Sequence, residues 1–176
     1  MYFSIDLSQI EEPKTYKRNN KSCFFDPIKK AIVQATPEET IRQKTIQFFI
    51  RHKNVPSHML EVEVPLCHFK KGLRGRADIV IYYNMDEVDY SLLIIECKAP
   101  NIELTDDVFE QVWSYDMELQ ADFTMVTNGC ESAFFYFSEE ALEYRALKEI
   151  PTYNQMLDKK GLREYPIDKE YNFKRK

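Results

Sequence analysis

The sequence of 176 residues is long enough for one domain with a substantial core, and 44% of the residues are apolar, 30% charged and 14% aromatic. These proportions are ordinary for a soluble globular protein, and no apolar stretch is long enough to cross a bilayer. The formal net charge of −5 argues against indiscriminate nucleic-acid binding, so any contact with DNA must come from a local basic patch.

The cysteines and histidines argue against a disulfide framework and a zinc site. The four cysteines are widely spaced, without a Cys-x-x-Cys pair, and the three histidines do not combine with them at zinc-like spacing. The first residues do not begin a signal peptide. We therefore expect free thiols and a reducing, cytoplasmic location.

The N-terminal part of the chain predicts an arm and then a helix. Residues 1–24 lack clear periodicity, so we expect an irregular arm there and a domain over residues 25–150. Thr36 followed by Pro37 favours a helix start, with threonine at the N-cap and proline at the first helical position. The helix should run to about His52, and its buried stripe consists of Ile41, Thr45, Phe48 and Phe49.

The remaining pattern predicts a sheet flanked by helices. Residues 60–66 alternate as in a strand with one solvated face, and residues 77–82 and 92–98 are apolar on both faces, as in central strands. A second helix should extend from Thr105 to about Leu119, followed by strands over 123–127 and 132–137. A short helix over 154–160 would belong to a C-terminal extension, residues 151–176. The order predicts an α/β fold with a central mixed β-sheet.

Three residues in the two central strands indicate a chemistry. Glu96 and Lys98 are two apart and point to the same side of their strand, and Asp78 lies in the preceding apolar run. Burial of two acids and a lysine is costly unless they pair with each other or with a metal. Carboxylates suit Mg²⁺, for which Mn²⁺ substitutes, and the ammonium can orient a water. This combination predicts metal-assisted hydrolysis of a phosphodiester.

A basic loop precedes the Asp78 strand. Residues 68–76 read as a hairpin loop, and their position beside Asp78 favours contact with phosphate over the alternative of a solvated hairpin tip. The predicted DNA-binding residues are Lys70, Lys71, Arg74 and Arg76. The basic stretches at 14–21 and 174–176 are more typical of solvated termini than of binding arms.

The ordered motifs resemble the PD-(D/E)XK nuclease superfamily, in its branch with a Gln-x-x-x-Tyr helix motif. More narrowly, the sequence resembles the small stand-alone form of the N-terminal nuclease domain of type I restriction enzyme R subunits. The resemblance covers roughly residues 25–137 and is carried by residues 25–30, 36–43, Arg76-Ala77-Asp78-Ile79-Val80, Ile95-Glu96-Cys97-Lys98-Ala99-Pro100, Val108-Phe109-Glu110-Gln111 with Tyr115, and 126–129. Ala77 stands where the motif usually has proline.

The resemblance implies a restriction-endonuclease-like α/β/α sandwich in which Asp78 and Glu96 bind Mg²⁺ and Lys98 serves the attacking water. A glutamate of the first helix, Glu38 or Glu39, would complete the site. Gln111 and Tyr115 would support the site or touch DNA. The sequence has no Gly-x-x-x-x-Gly-Lys-[Ser/Thr] loop, so this chain lacks the ATP-driven motor of the full restriction subunit.

Several alternatives stay open at this point. Asp78 and Glu96 could pair only with Arg76 and Lys98, and Glu39 could be the reciprocal partner of Thr36 in a capping box. Glu38 has a possible partner in Arg42, four residues on. The whole chain could be a non-catalytic nucleic-acid- or protein-binding module, or an accessory subunit that works with a separate motor or specificity protein. A homodimer is a further expectation, because two-fold symmetry matches duplex DNA.

Overall fold

The computed structural model describes residues 3–4, 7, 10–165 and 173–174. The side chains of the two terminal pairs and of residues 106, 115, 117 and 118 lie outside that description. Three α-helices are present in this part of the chain: α1 (Pro37–His52), α2 (Asp106–Leu119) and α3 (Tyr153–Asp158). The described strands are β1 (Phe3–Ser4), β2 (Thr15–Arg18), β3 (Lys21–Asp26), β4 (Ala31–Gln34), β5 (Leu60–Pro65), β6 (Arg76–Met85), β7 (Val88–Cys97), β8 (Phe123–Thr127), β9 (Glu131–Ser138), β10 (Glu143–Ala146) and β11 (Phe173–Lys174).

The main sheet is mixed and has eight strands in the order β11-β10-β9-β8-β7-β6-β5, with β1 paired to β9. Strands β7 and β8 are parallel, and α2 is the crossover that connects them. The neighbouring pairs are antiparallel. Because β7 ends at Cys97 just before this crossover, the Glu96–Lys98 segment lies at the end of a central strand.

Helices cover both faces of the sheet. Alternate residues of the central strands face opposite sides, so that Met125 packs with Ile46 and Phe49 of α1, whereas Val126 packs with Trp113 of α2. Ile46 and Phe49 are completely buried, and each such side chain contributes about 1.5–3 kcal/mol of hydrophobic stabilisation. This arrangement confirms the predicted α/β fold with helices on either side of a mixed sheet.

The predicted helices and most predicted strands form close to the expected bounds, but the two central strands extend further toward the turn between them, from 77–82 to Arg76–Met85 and from 92–98 to Val88–Cys97. Thr36 caps α1 by accepting a hydrogen bond from the Glu39 backbone N–H at 3.1 Å. Phe48, expected on the buried stripe, is only partly buried. The basic loop connects β5 with β6, and the polar turn between β6 and β7 is the pair Asp86-Glu87, with φ values of 52° and 64°. No described helix is long and apolar enough to cross a membrane.

The expectation of an irregular arm over residues 1–24 is wrong for its second half. Strands β2, β3 and β4 form a separate three-stranded antiparallel sheet, which we call the N-terminal meander. Its first turn consists of Asn19 and Asn20, which both have positive φ (50° and 60°), as a two-residue hairpin turn requires. The division at residues 25 and 150 stays a prediction, although Tyr153 and Met156 of α3 are buried in the core beneath α1.

Candidate active site

Glu96, Lys98 and Gln111 form a closed hydrogen-bonded triangle at the end of β7. The Lys98 ammonium donates to Glu96 Oε1 at 2.5 Å and to Gln111 Oε1 at 3.0 Å. The Gln111 amide donates to the same Glu96 oxygen at 2.8 Å. Glu96 is 5% exposed, so its carboxylate is almost shielded from water, whereas Lys98 and Gln111 are partly exposed. Strand alternation presents Glu96 and Lys98 to the face covered by α2, which supplies Gln111.

Asp78 reaches the same point from β6. The antiparallel register pairs Ile79 with Ile95, which places Asp78 beside Glu96 on the neighbouring strand. Asp78 Oδ2 accepts a hydrogen bond from the Cys97 backbone N–H at 2.8 Å. The Cys97 side chain is fully buried in the core on the other face of the sheet, as its alternation with Glu96 predicts.

Burial sets the electrostatics of both carboxyl groups. Burial, together with repulsion from Asp78, raises the pKa of Glu96 to about 7. The hydrogen bond from Lys98 and its positive charge act in the opposite direction and lower this pKa. Burial also raises the pKa of Asp78, against the Cys97 N–H bond. Burial alone would lower the pKa of Lys98, but the bond to Glu96 and the nearby carboxylates outweigh it and raise that pKa. A cation would relieve the repulsion between the carboxylates.

The first helix directs Glu38 toward this site. Its charge acts on both Asp78 and Glu96, and its side chain is exposed on the wall of a cavity that Asp78 also lines. Glu39 also lines this cavity, but it is paired within the helix, because both of its oxygens accept hydrogen bonds from the Arg42 guanidinium at 2.6–3.0 Å. The alternative in which Arg42 pairs with Glu38 is therefore wrong.

A buried polar network behind the cavity was not predicted as part of the site. Asp26 is completely buried, and its Oδ2 accepts from Gln43 Nε2 at 2.8 Å and lies 3.3 Å from Arg42 Nη2. Gln43 also donates to Glu39 at 2.9 Å. Arg42 Nη1 is buried without a hydrogen-bond partner in the described part of the chain. Polar residues at positions 39, 42 and 43 share one helical face. This shared face is the feature of the sequence from which the network could have been predicted.

Arg76 lies at the mouth of the site but is not the partner of Asp78. Its guanidinium contacts Glu63 Oε1 at 3.0 Å, and Lys29 pairs with the same glutamate. Glu63 has a φ of 49°, an uncommon conformation for a non-glycine residue within a strand. The pairing of Asp78 with Arg76 expected as one alternative does not occur, whereas Glu96 does pair with Lys98.

These elements enclose one polar cavity of about 430 Å³. Its lining combines the meander, α1, β5 and β6: Val33, Gln34, Thr36, Glu38, Glu39, Arg42, Glu63, Arg76 and Asp78. The predicted basic loop borders this region, and the side chains of Lys70, Lys71, Arg74 and Arg76 are exposed. The backbone of Tyr115 lies in α2, and its side chain falls outside the described residues.

The donor set at the centre fits a hard divalent cation. Asp78 Oδ1 and Glu96 Oε2 accept no hydrogen bond from the described residues, since the bonds described above go to Oδ2 and Oε1. Carboxylate oxygens are the ligands that Mg²⁺ prefers. No group of three or more His, Cys, Asp or Glu side chains converges on a point among the described residues. The protein's own donors here are therefore two carboxylates.

Comparison with known proteins identifies the family. The sequence profile described as "Type I restriction enzyme R protein N terminus" matches residues 37–151, a span that includes α1, both central strands and α2. No curated protein and no solved structure matches the chain. The match covers more than half of the sequence and contains Glu38, Asp78, Glu96, Lys98 and Gln111. The chain belongs to the family of type I restriction enzyme R protein N-terminal domains.

Proposed function

We propose that this chain is a Mg²⁺-dependent deoxyribonuclease domain of restriction or defence type. The observation that supports this most strongly is the juxtaposition of Asp78, Glu96 and Lys98 at the end of two central strands, in a member of a restriction-enzyme family. Two carboxylates and a lysine, next to a polar cavity that Asp78 lines, suit the hydrolysis of a phosphodiester.

Asp78 and Glu96 would hold the metal through oxygens that accept no bond from the described residues. When bound, Mg²⁺ would supply Lewis-acid stabilisation of the phosphate and lower the pKa of a bound water. Mn²⁺ would substitute for it. Glu38, on the cavity wall, would accept hydrogen bonds from waters that approach the phosphate.

Lys98 would orient the attacking water and offset the negative charge that develops on the phosphate oxygens. The ammonium is held in place by Glu96 and Gln111, at 2.5 and 3.0 Å. A group fixed in this way needs no reorganisation during the reaction, which makes it more effective than a mobile lysine. Gln111 is then a positioning residue for Lys98.

The test is cleavage of supercoiled plasmid in the presence of Mg²⁺ or Mn²⁺. The wild-type chain should convert the plasmid, EDTA should stop the reaction, and Glu96→Gln should abolish it while calorimetric Mn²⁺ binding weakens. Glu139→Gln is the matched control, because Glu139 is an exposed acid next to the β9–β10 turn. Purified wild-type chain that binds DNA but never cuts it would favour the non-catalytic module.

The family also suggests partners. Since the profile describes the N-terminal part of R proteins, we propose that a separate motor or specificity subunit, or a second copy of the chain, works with this domain on DNA. Co-purification of the tagged chain with such a subunit from its native cells would support this.

A further inference from the structure

We propose that the outer face of the N-terminal meander binds a single-stranded segment of DNA next to the cleavage site. This proposal rests on the proposed nuclease function and adds a surface that the predicted basic loop does not include. The surface consists of alternate residues on the three strands, which share one face: Tyr16, Arg18, Lys21, Cys23, Phe25, Ile32 and Gln34.

The charge of the meander is opposite to that of the whole chain. Residues 14–34 carry six lysines and arginines against one acid, a net charge of +5, in a chain whose formal net charge is −5. The acid, Asp26, is completely buried, whereas the six cations are exposed. A polyanion is the partner that this charge distribution attracts.

Two of the cations face each other without a compensating acid. Arg18 and Lys21 are direct cross-strand partners beside the Asn19-Asn20 turn. Like charges in this position destabilise a sheet, and neither residue forms an ion pair among the described residues; Lys21 only donates to Gln34 at 3.5 Å. A phosphate between the two side chains would remove this repulsion.

Aromatic side chains lie exposed among these cations. Phe25 is 48% exposed, Tyr16 is 40% exposed, and Ile32 beside Phe25 is also 40% exposed. On the opposite face Phe24 and Asp26 are buried, whereas on the outer face Cys23 alone is buried. A flat sheet with exposed aromatic rings and cations offers stacking to unpaired bases and contacts to their phosphates. This favours a single strand over an intact duplex.

The surface is continuous with the candidate active site. Gln34 belongs to the outer face and also lines the cavity that contains Asp78 and Glu38. Asp26 at the end of β3 is hydrogen-bonded to Gln43 of α1 at 2.8 Å, which fixes the meander relative to the catalytic side chains. A strand lying on the meander would therefore lead into the cavity.

The experiment measures binding of a fluorescein-labelled oligothymidylate by anisotropy, in EDTA so that no cleavage occurs, over a range of salt concentrations. Arg18→Ala with Lys21→Ala should lower the log–log salt slope by about 1.4, at about 0.7 per lost phosphate contact. Tyr16→Ala with Phe25→Ala should weaken binding about tenfold or more with an unchanged slope. Tyr16→Phe should retain the wild-type affinity, because the ring remains.

Matched controls are Lys160→Ala and Leu142→Ala, an exposed cation after α3 and an apolar side chain, 63% exposed, in the β9–β10 turn. Both should bind like the wild type. If both double variants also bind like the wild type, the proposal is overturned, even if the oligomeric state of the variants differs from that of the wild type. Plasmid cleavage is measured separately. If the double variants lose binding and the wild-type chain never cuts plasmid, the proposed DNA-binding surface is supported and the proposed nuclease function is refuted.

Discussion

Glu96 Oε1 accepts hydrogen bonds from both Lys98 and Gln111, while Oε2 accepts none from the described residues. The two oxygens therefore have different surroundings within one almost fully buried carboxylate. The first is neutralised by an ammonium, and the second is left for a cation that Asp78 would share. At the scale of single residues, the proposed chemistry depends on this asymmetry. A carboxylate whose two oxygens were both paired with protein groups would have no oxygen left to bind a metal.

The raised pKa of Glu96 predicts how stability and metal binding vary with pH. The unfolded chain releases the Glu96 proton near pH 4.5, whereas the folded chain holds it to about pH 7. Between these values the folded state binds more protons, so the free energy of unfolding falls as the pH rises and levels off above about pH 7. Metal binding needs the ionised form, so affinity should drop about tenfold per pH unit below the pKa.

Thermal denaturation with and without Mg²⁺ checks this prediction. Mg²⁺ should raise Tm above about pH 7 and have little effect near pH 5. Glu96→Gln should lose the Mg²⁺ response at every pH and gain stability relative to the wild type as the pH rises. An Mg²⁺ response that is equally strong at both ends of the pH range would contradict the assignment of Glu96 as a ligand.

Replacement of Lys98 should separate cleavage from folding. Lys98→Ala should lower the cleavage rate by about 10²-fold or more, the range of a positioned catalytic group, while far-UV circular dichroism stays unchanged. Most metal affinity should remain, because an ammonium is not a ligand. Lys148→Ala, an exposed lysine elsewhere on the chain, is the control. Wild-type cleavage by Lys98→Ala would make Lys98 a structural counter-ion of Glu96.

At the scale of elements, α1 is held against the β8–β9 turn by close packing. Gly129 in that turn has a φ of +86°, and a Cβ built on it would lie 2.4 Å from Ile41 Cδ1 of α1. A larger residue would have a strained φ here and would require the Ile41 side chain to move. Because Glu38 lies one turn before Ile41, the packing of this turn also sets where Glu38 enters the cavity.

We expect Gly129→Ala to destabilise the fold by about 1–3 kcal/mol, from the strained φ and the contact with Ile41. Ile41→Val removes Cδ1 and should restore part of this loss in the double variant, which urea denaturation of the four proteins would measure. Cleavage should recover together with stability if α1 is displaced. Additive effects of the two substitutions would show that the close contact plays no part.

The basic loop should contribute to DNA binding through only some of its cations. Arg76 is engaged with Glu63 at 3.0 Å, so Arg76→Ala should change the salt dependence little. Charge reversal of Lys71 and Arg74, which form no ion pair among the described residues, should lower the log–log slope for duplex binding by about 0.9 per lost contact. An unchanged slope would place the duplex on another surface.

The sequence predicted elements that have strong local signals and missed those that do not. Threonine caps and apolar runs indicated α1, α2 and the strands β5 to β9. β2 is exposed at every position, so it has no apolar periodicity. Its hairpin depends on the Asn19-Asn20 turn, which hydrophobic periodicity does not indicate. Likewise, the motif order indicated Asp78, Glu96 and Lys98, whereas the preference for Glu38 over Glu39 came from the structure, in which Arg42 pairs with Glu39 of the same helix and not with Glu38.

At the scale of the whole molecule, the described chain contains one carboxylate–lysine site, next to a polar cavity that Asp78 lines. The two strands of a duplex present their scissile bonds in opposite directions, and a second site related by two-fold symmetry would match them. We therefore expect a single copy to make at most one nick per encounter, with double-strand cleavage requiring a second copy or a partner.

Plasmid cleavage with simultaneous measurement of the mass of the active species tests this expectation. Open-circle product should appear first, and linear product should rise more steeply than linearly with protein concentration. Linear product without an open-circle intermediate, from a species shown to be monomeric, would refute it.

The pairing of β1 with β9 has a consequence for biosynthesis. Phe3 lies opposite Ser132, so β1 can pair only after a strand that is translated much later than itself. The hairpin of β6 and β7 that carries Asp78 and Glu96 can form in the meantime, since its strands are joined by a two-residue turn. Gln111, which holds Lys98, follows only with α2. Under the proposed nuclease mechanism, a nascent chain would therefore possess Asp78 and Glu96 before Lys98 is positioned, and would become competent for cleavage only after α2 has been synthesised.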